Sequence, residues 1–176
     1  MNRPSDKEQQ LRNLIATHGA AIFAFIRHIV DHDADAEELA QDTFLRAFSA
    51  WERYDPQRAT ERTWLCRIAY HAALNHLRVN RPATVALDDR LADYDISEEE
   101  LDDGLSTGSQ RRINLLNRAI GQLPPGEQAL LNMHYFEDRP LSEIAYIMDS
   151  EPGPLANRLY RIRKKLYRMI QQLDNS

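Results

Sequence analysis

A run of basic side chains near the carboxyl end has the spacing of one helix and the charge to bind a polyanion. Six lysines and arginines lie from Arg158 to Arg168, with no acidic residue among them. The apolar positions beside them step by three and four residues, the period of an amphipathic helix. These positions are Leu155, Leu159, Ile162, Leu166 and Met169. A helix with one buried face and one cationic face can pack on a small domain and bind nucleic acid.

Charge is divided unevenly along the 176 residues, whose formal net charge is -5. Residues 1–83 carry eleven acidic and eleven basic side chains, whereas residues 110–176 carry seven acidic and ten basic ones. Residues 84–109 carry nine acidic side chains and one basic side chain, and they contain few large apolar groups. Such a stretch cannot bury enough surface to order itself. The sequence therefore predicts two small domains, 1–83 and 110–176, joined by a flexible acidic linker at 84–109.

Helical periodicity recurs on both sides of the linker, and no segment alternates as a half-buried strand would. In the first domain the sequence predicts one helix that begins at a capping box of Ser5 and Glu8, a second that begins after a cap at Asp33 or Asp35, and a third that begins at Thr63. In the second domain a short helix near Ile144 is followed by a tight turn and then by the basic helix. This order is typical of a helix-turn-helix that binds DNA. The expected fold class is all-α, with two helical domains.

The composition excludes several classes of protein and site. There is no apolar run of about eighteen residues, so we expect no membrane insertion. The first twenty residues carry charges throughout and lack the apolar centre of a signal peptide, which predicts a cytoplasmic protein. The single cysteine, Cys66, excludes an internal disulfide and a cysteine-based zinc site. Because no catalytic motif is present, we expect no enzyme activity, no metal site and no cofactor.

Three blocks of the sequence, in this order, resemble bacterial RNA polymerase sigma factors of the extracytoplasmic-function (ECF) group of the sigma-70 family. DAEELAQDTFLRAF, residues 35–48, is similar to the helix that docks on the polymerase clamp. TWLCRIAYHAALNHLR, residues 63–78, is similar to the helix that engages the minus-ten element. The stretch from Leu123 to Leu166 is similar to the domain that reads the minus-thirty-five element. The resemblance covers nearly the whole chain outside the linker.

The resemblance implies a role for the polar side chains of each block. It places polymerase binding on one face of the first block, at Glu38, Gln41, Asp42, Leu45 and Arg46. It places minus-ten DNA binding at Arg62, Arg67, Tyr70, His71, Asn75 and Arg78. It places minus-thirty-five DNA binding at Asn157, Arg158 and Arg161 toward the groove and at Arg163, Lys164 and Lys165 toward phosphates.

The chemistry of these residue types agrees with those roles. Cations hold phosphates, while aromatic and amide groups can stack on, or hydrogen-bond to, unpaired bases. Arginine can bond two acceptors of guanine, and asparagine suits adenine. The loop from Tyr54 to Arg62 resembles the family segment that captures a flipped base, whereas Trp64 is expected to pack in the core. The sequence departs from the usual family pattern at His71, Asn75 and Ala156, so it does not predict which promoter is read.

The implied partners are core RNA polymerase and promoter DNA, and many relatives are also held inactive by an anti-sigma factor. The resemblance further implies a second polymerase contact near residues 130–136 and an acidic linker that threads a basic channel of the polymerase. The residues leave one alternative open. The alternative is a stand-alone helix-turn-helix regulator, which would bind DNA through the second domain and would leave the first domain without an assigned function.

Overall fold

The structure is a computed structural model that describes residues 4–80, 96–106 and 108–176, without the side chains of Pro4 and Ser5. These residues contain eight α-helices and no strand, which confirms the predicted all-α class. The helices are α1 (Pro4–Arg27), α2 (Asp33–Ser49), α3 (Glu61–Asn80), α4 (Glu98–Gly104), α5 (Gln110–Gly121), α6 (Pro125–Leu131), α7 (Leu141–Met148) and α8 (Pro152–Asp174). A 3₁₀ turn, Trp51–Arg53, follows α2, and a π-helical turn, Asn132–Phe136, follows α6.

By their internal contacts the residues form two compact units. The first unit comprises Met1–Pro82 with Ser142–Ser150, and the second comprises Ala83–Leu141 with Glu151–Ser176. The two helical domains of the predicted fold are therefore present, although α7 groups with the first unit and not with residues 110–176. The predicted boundary at residue 83 and the linker residues 84–95 lie outside the described residues.

Helices α1, α2 and α3 pack on one another around the apolar core of the first unit. Ile22 and Ile26 of α1 and Leu65 of α3 are fully buried at its centre. Each such side chain contributes about 1.5–3 kcal/mol when it leaves water. Trp64 is 8% exposed, which agrees with its expected place in the core. The apolar residues that recur at intervals of three and four in the sequence thus form the packing faces of a three-helix bundle.

Polar contacts fix how these three helices meet. Arg27, at the end of α1, donates a hydrogen bond to the carbonyl oxygen of Val30 (3.0 Å) and pairs with Asp33 at the start of α2 (2.6 Å). His18 of α1 and Glu61 of α3 lie 3.0 Å apart, imidazole nitrogen to carboxylate oxygen. These contacts join the end of α1 to the start of α2, and the middle of α1 to the start of α3.

The second unit is built on the apolar stripe of α8. The stripe predicted from the sequence is buried in full, at Leu155, Leu159, Ile162, Leu166 and Met169. Helices α5 and α6 pack against α8 and bury Leu115, Ala119 and Leu130. A proline begins each of α6 and α8, where its fixed φ suits the first helical turn and its missing N–H costs no hydrogen bond.

Part of the predicted linker is folded. Helix α4 begins after Ser97, whose Oγ accepts a hydrogen bond from the backbone N–H of Glu100 (3.2 Å). Three glutamates lie in its first turn, where their negative charges interact favourably with the positive end of the helix dipole and stabilise the helix. Leu101 is fully buried beside Ile96 and Tyr167. The expectation that the linker cannot order itself is therefore wrong for residues 96–106, because two apolar side chains of this segment are buried against α8.

We expect Ile26→Ala to destabilise the first unit by about 2–5 kcal/mol, because Ile26 is fully buried. Ile15→Ala is the matched control on the same helix and should cost less than about 1 kcal/mol, because Ile15 is 45% exposed. Both tryptophans of the chain, Trp51 and Trp64, lie in this unit. Urea denaturation followed by tryptophan fluorescence therefore reports its unfolding. Equal losses in the two variants would contradict the described packing.

Candidate protein and nucleic-acid interfaces

The five residues predicted to bind polymerase lie on one exposed side of α2. Glu38, Gln41, Leu45 and Arg46 are exposed, and Asp42 is half-buried. Leu45 is 58% exposed, although it is a large apolar side chain. Arg46 Nε donates a hydrogen bond to Asp42 Oδ2 at 2.7 Å, one helical turn away. An exposed leucine ringed by charged groups is the composition of a protein-binding surface.

An apolar groove runs beside this face, between α1 and α2. Its lining comprises Leu11, Ile15, Gly19, Phe23, Glu37, Ala40, Gln41, Phe44 and Leu45. Ile15 and Leu45 are both largely exposed, so the groove presents apolar surface to solvent from both helices. The sequence reasoning did not include α1 in the interface. The sequence does contain a sign of this surface, because Leu11, Ile15 and Phe23 are separated by four and eight residues and therefore lie on one side of α1.

Helix α3 exposes most of the residues predicted to bind minus-ten DNA. The exposed members are Arg62, His71, Asn75 and Arg78. Arg78 Nη2 donates to Asn75 Oδ1 at 2.6 Å, so these two side chains form one polar group near the end of the helix. Tyr70 differs from the prediction, because only 4% of it is exposed. Its ring packs inside the unit and cannot stack on a base in this conformation.

Arg67 is half-buried because α7 covers it within the first unit. Its Nη2 lies 3.3 Å from Asp149 Oδ1, and its Nη1 donates to the carbonyl oxygen of Tyr146 at 3.4 Å. Its guanidinium also lies over the Tyr146 ring, 4.9 Å from the centroid. Nearby, Thr63 Oγ1 donates to Glu143 Oε1 at 2.8 Å. Arg67 would have to exchange these protein partners for phosphate before it could bind DNA.

The electrostatic environment of His71 favours its neutral form. Burial lowers the pKa of His71, the cation of Arg67 lowers it further, and the Asp149 carboxylate acts in the opposite direction. A neutral imidazole offers one donor and one acceptor. His71 is therefore better suited to hydrogen-bond a base edge than to neutralise a phosphate.

Three aromatic rings hold the loop that precedes α3. The centroid of the Tyr54 ring lies 5.3 Å from that of Trp51 and 5.0 Å from that of Trp64, and the centroids of the two tryptophan rings are 5.9 Å apart. The Tyr54 hydroxyl donates to the carbonyl oxygen of Ala59 at 3.1 Å. Burial, followed by the Glu61 carboxylate, raises the pKa of Tyr54, so its hydroxyl stays a donor. The loop predicted to capture a base is thus anchored at one end by packed rings.

The polar residues of α8 fall into different environments. Asn157 and Arg161 are exposed, while Arg158 and Lys164 are half-buried. Because successive side chains turn by about 100° around a helix, Asn157, Arg161 and Lys164 share the side away from the buried stripe, whereas Arg158 lies at the edge of the stripe, about 60° from its centre. The helix begins after a short turn in which Asp149 has a φ of 55°, a left-handed conformation that aspartate tolerates. Helix, turn and helix follow one another along the chain as predicted.

Lys165 is not placed to bind DNA, contrary to the prediction. It is 5% exposed, and its Nζ lies 3.3 Å from Glu127 Oε1 of α6. The side chains of both partners are largely removed from solvent. Lys165 is one residue from Leu166 of the buried stripe, so its aliphatic stem packs inside while its charge is paired there. Lys165, although part of the basic run, therefore belongs to a structural ion pair.

Arg163 is also occupied by the protein, although the sequence suggested a phosphate contact. Its Nη1 lies 2.9 Å from Glu98 Oε2 and its Nη2 lies 2.6 Å from Asp102 Oδ1, both on α4. The two carboxylates lie one turn apart on α4 and hold both ends of the guanidinium. Sequence reasoning missed this pair, because α4 was not predicted to be a helix.

Two family models match the chain, described as Sigma-70 region 2 over residues 14–82 and Sigma-70, region 4 over residues 113–166. The RNA polymerase sigma-H factor of Pseudomonas aeruginosa is 30% identical over 152 residues, which are 81% of this chain and 77% of that protein. The chain belongs to the sigma-70 family of RNA polymerase sigma factors. The match over residues 14–82 leaves no place for the alternative of a stand-alone helix-turn-helix regulator.

Further similarities place this sigma factor in the ECF group. The ECF RNA polymerase sigma factor SigW of Bacillus subtilis is 27% identical over 148 residues, which are 79% of this chain and 77% of that one. The sigma factor RpoE from Bartonella quintana, solved in complex with the anti-sigma factor NepR, has the same fold. Its TM-score is 0.57 at 16% identity, and the match covers 94% of this chain and 97% of that one. The protein is an ECF sigma factor, and it directs transcription initiation.

Two observations apply to the described residues alone. No three histidine, cysteine, aspartate or glutamate side chains among them are grouped as metal ligands. None of their helices combines the length and the apolar character needed to cross a bilayer.

We expect Lys165→Ala to destabilise the second unit by about 3–5 kcal/mol, because it leaves Glu127 buried beside an apolar core. The double variant Glu127→Leu with Lys165→Met should recover most of that loss, because it removes both charges and keeps their volume. Thermal unfolding followed by circular dichroism measures both changes. A stable Lys165→Ala protein with weakened DNA binding would restore the role predicted from the sequence.

Proposed function

We propose that this ECF sigma factor binds core RNA polymerase through the α1–α2 groove and the exposed face of α2, and promoter DNA through α3 and α8. The observation that carries the proposal is the exposure of Leu45, which lies beside charged side chains and lines the apolar groove. Such a surface gains free energy when a partner covers it, while the charges around it select the partner. Of the polymerase-binding residues predicted from the sequence, Gln41 and Leu45 line the groove. Glu38, Asp42 and Arg46 lie on the same helix, α2.

On α8 we assign Asn157 and Arg161 to base edges and Arg158 and Lys164 to phosphates. Asn157, Arg161 and Lys164 lie opposite the buried stripe, where a helix can enter the major groove while its other side stays packed, and Arg158 lies at the edge of the stripe, on a flank of the helix. Arg163 and Lys165 are left out of this assignment because protein carboxylates hold them. The groove-facing pair supplies sequence readout, since a phosphate contact carries no base information.

On α3 we assign the minus-ten contacts to Arg62, His71, Asn75 and Arg78, which are exposed together. The neutral imidazole and the amide can hydrogen-bond a base, and the arginines can hold the strand that carries it. The loop from Tyr54 to Arg62 is the proposed place for a flipped base. The packed rings at its start keep the loop in one conformation, which lowers the entropy lost on binding.

Other parts of the surface suit further protein contacts. Phe136 is 77% exposed and Tyr135 is 50% exposed, so the turn after α6 fits the second polymerase contact. An anti-sigma factor, such as the one bound to RpoE, would cover the same apolar surfaces. Polymerase and promoter are cytoplasmic, so we place this protein in the cytoplasm. We assign it no catalysis of its own and no cofactor, because the polymerase performs the chemistry.

Leu45→Asp should abolish co-elution with bacterial core RNA polymerase in gel filtration. The change places a charge at the centre of the proposed apolar contact, while the exposed site lets the fold persist. Val79→Asp, on α3, is the matched control, because Val79 is 71% exposed and lies outside the groove. Co-elution of the Leu45→Asp protein at wild-type yield would contradict the proposed docking surface.

Arg161→Ala should weaken binding to promoter DNA by about tenfold or more and change the slope of log affinity against log salt only slightly, because Arg161 is assigned to a base edge. A slope that becomes shallower by about 0.9 would instead show that Arg161 neutralises one phosphate. Arg163→Ala should leave affinity within about twofold, because α4 already neutralises Arg163. Run-off transcription from a genomic promoter library supplies the promoter. Equal losses in the two variants would contradict the assignment.

A further inference from the structure

Helix α4 is bound to one flank of α8 by both ionic and hydrogen-bonded contacts. Arg163 of α8 is held between Glu98 and Asp102. One turn further along α8, the Tyr167 hydroxyl donates to Glu100 Oε1 at 2.8 Å. One turn earlier, the Tyr160 hydroxyl donates to the carbonyl oxygen of Ile96 at 3.2 Å. Three positions on one side of α8, at intervals of three and four residues, therefore bind a single acidic segment.

The apolar part of this contact is small but close. Ile96 and Leu101 are buried against Tyr167, and Leu105 and Tyr160 pack at the edge. A Cβ atom added at Gly104 would lie 2.4 Å from the Tyr167 ring, so α4 approaches α8 there as only glycine allows. A glycine is thus required at position 104 because the Tyr167 ring leaves no room for a side chain, and not because the backbone there has a positive φ.

The flank that α4 covers is one that would face phosphates when α8 binds DNA. A helix in the major groove lies between two phosphate strands, so its flanks meet phosphates while its outer side meets bases. Arg163 lies on such a flank, next to the exposed side that carries Arg161 and Lys164. In the described structure that flank presents the carboxylates of α4 instead of a free guanidinium.

We propose that α4 is an internal competitor of DNA, whose carboxylates occupy a phosphate-binding position at Arg163. The inference rests on the proposed function of α8 as the DNA-binding helix. When α4 is released, Arg163 binds the phosphate backbone on that flank of α8. The ligand of this site is any duplex phosphate, so the effect is on affinity and not on base sequence.

The contact is weak enough to be exchanged. The side chains of Glu98 and Asp102 are 64% and 76% exposed, and ion pairs so open to water contribute little. The helix has seven residues, and with the preceding Ile96 it buries two large apolar side chains, so it can open without unfolding the rest of the unit. The two carboxylates can therefore be removed from Arg163 at a small cost in free energy.

The test compares two double variants of the full chain that carry the same change in net charge. Glu98→Gln with Asp102→Asn frees Arg163, whereas Glu99→Gln with Asp103→Asn changes two carboxylates that do not pair with it. Fluorescence anisotropy with a labelled mixed-sequence duplex, over a range of salt concentrations, gives affinity and slope. The first variant should bind about three- to tenfold more tightly at low salt, with a slope steeper by about 0.9. The second should lie much nearer the wild type.

Adding Arg163→Ala to the first variant should return affinity and slope to wild-type values, because the freed cation is then absent. Equal gains in the two double variants would show a general effect of net charge and overturn the inference. No gain in the first variant would overturn it as well. If Arg161→Ala also left binding unchanged, the proposed DNA face itself would be at fault, which separates the two failures.

Gly104→Leu tests the same inference without changing any charge. Its side chain would collide with Tyr167 and release α4, so DNA binding should tighten as in the first double variant. Gly108→Leu is the matched control, because a Cβ there meets no atom within 4 Å. Loss of amide exchange protection in α4 verifies the release. Release of α4 with unchanged DNA affinity would contradict the proposal.

Discussion

The buried stripe of α8 determines which side chains of the second unit can reach a partner. Five apolar residues commit one side of the helix to the core, and every other side chain then takes a fixed direction around the axis. Lys165 is buried and pairs with Glu127, Arg163 lies on the flank that contacts α4, and Arg161 is exposed to solvent. One hydrophobic contact thus sorts chemically similar cations into a structural, a covered and an available class.

Periodicity in the sequence predicted the features that depend on neighbours within one helix. It predicted the bundle core through residues such as Leu65, the exposed face around Leu45 and the buried stripe of α8. It could not predict the partners of Lys165 and Arg163, because Glu127 and Glu98 lie 38 and 65 residues away along the chain. A charge pattern records that a side chain is polar, and only tertiary structure shows where its counter-charge lies.

The two missed features in the first unit have the same origin. Tyr70 has the residue type of a base-stacking group, yet the packing of α3 buries its ring. Arg67 has the residue type of a phosphate ligand, yet α7 supplies a carbonyl oxygen and an aromatic face for it, and Asp149, directly after α7, supplies a carboxylate. Residue type narrows the chemistry that a position can perform. Burial and local partners then decide whether it performs that chemistry in the free protein.

The binding of α4 to α8 also shortens the covalent connection between the helices proposed to bind the promoter. If residues 84–109 were all free, the chain could extend by about 3.3–3.6 Å for each of them. Because α4 is part of the second unit, the span between Asn80 and Ile96 is covered by sixteen residue steps. That path reaches at most about 58 Å when fully extended. This length is the upper limit on the separation of Asn80 and Ile96 when α3 and α8 bind one promoter, unless α4 first separates from α8.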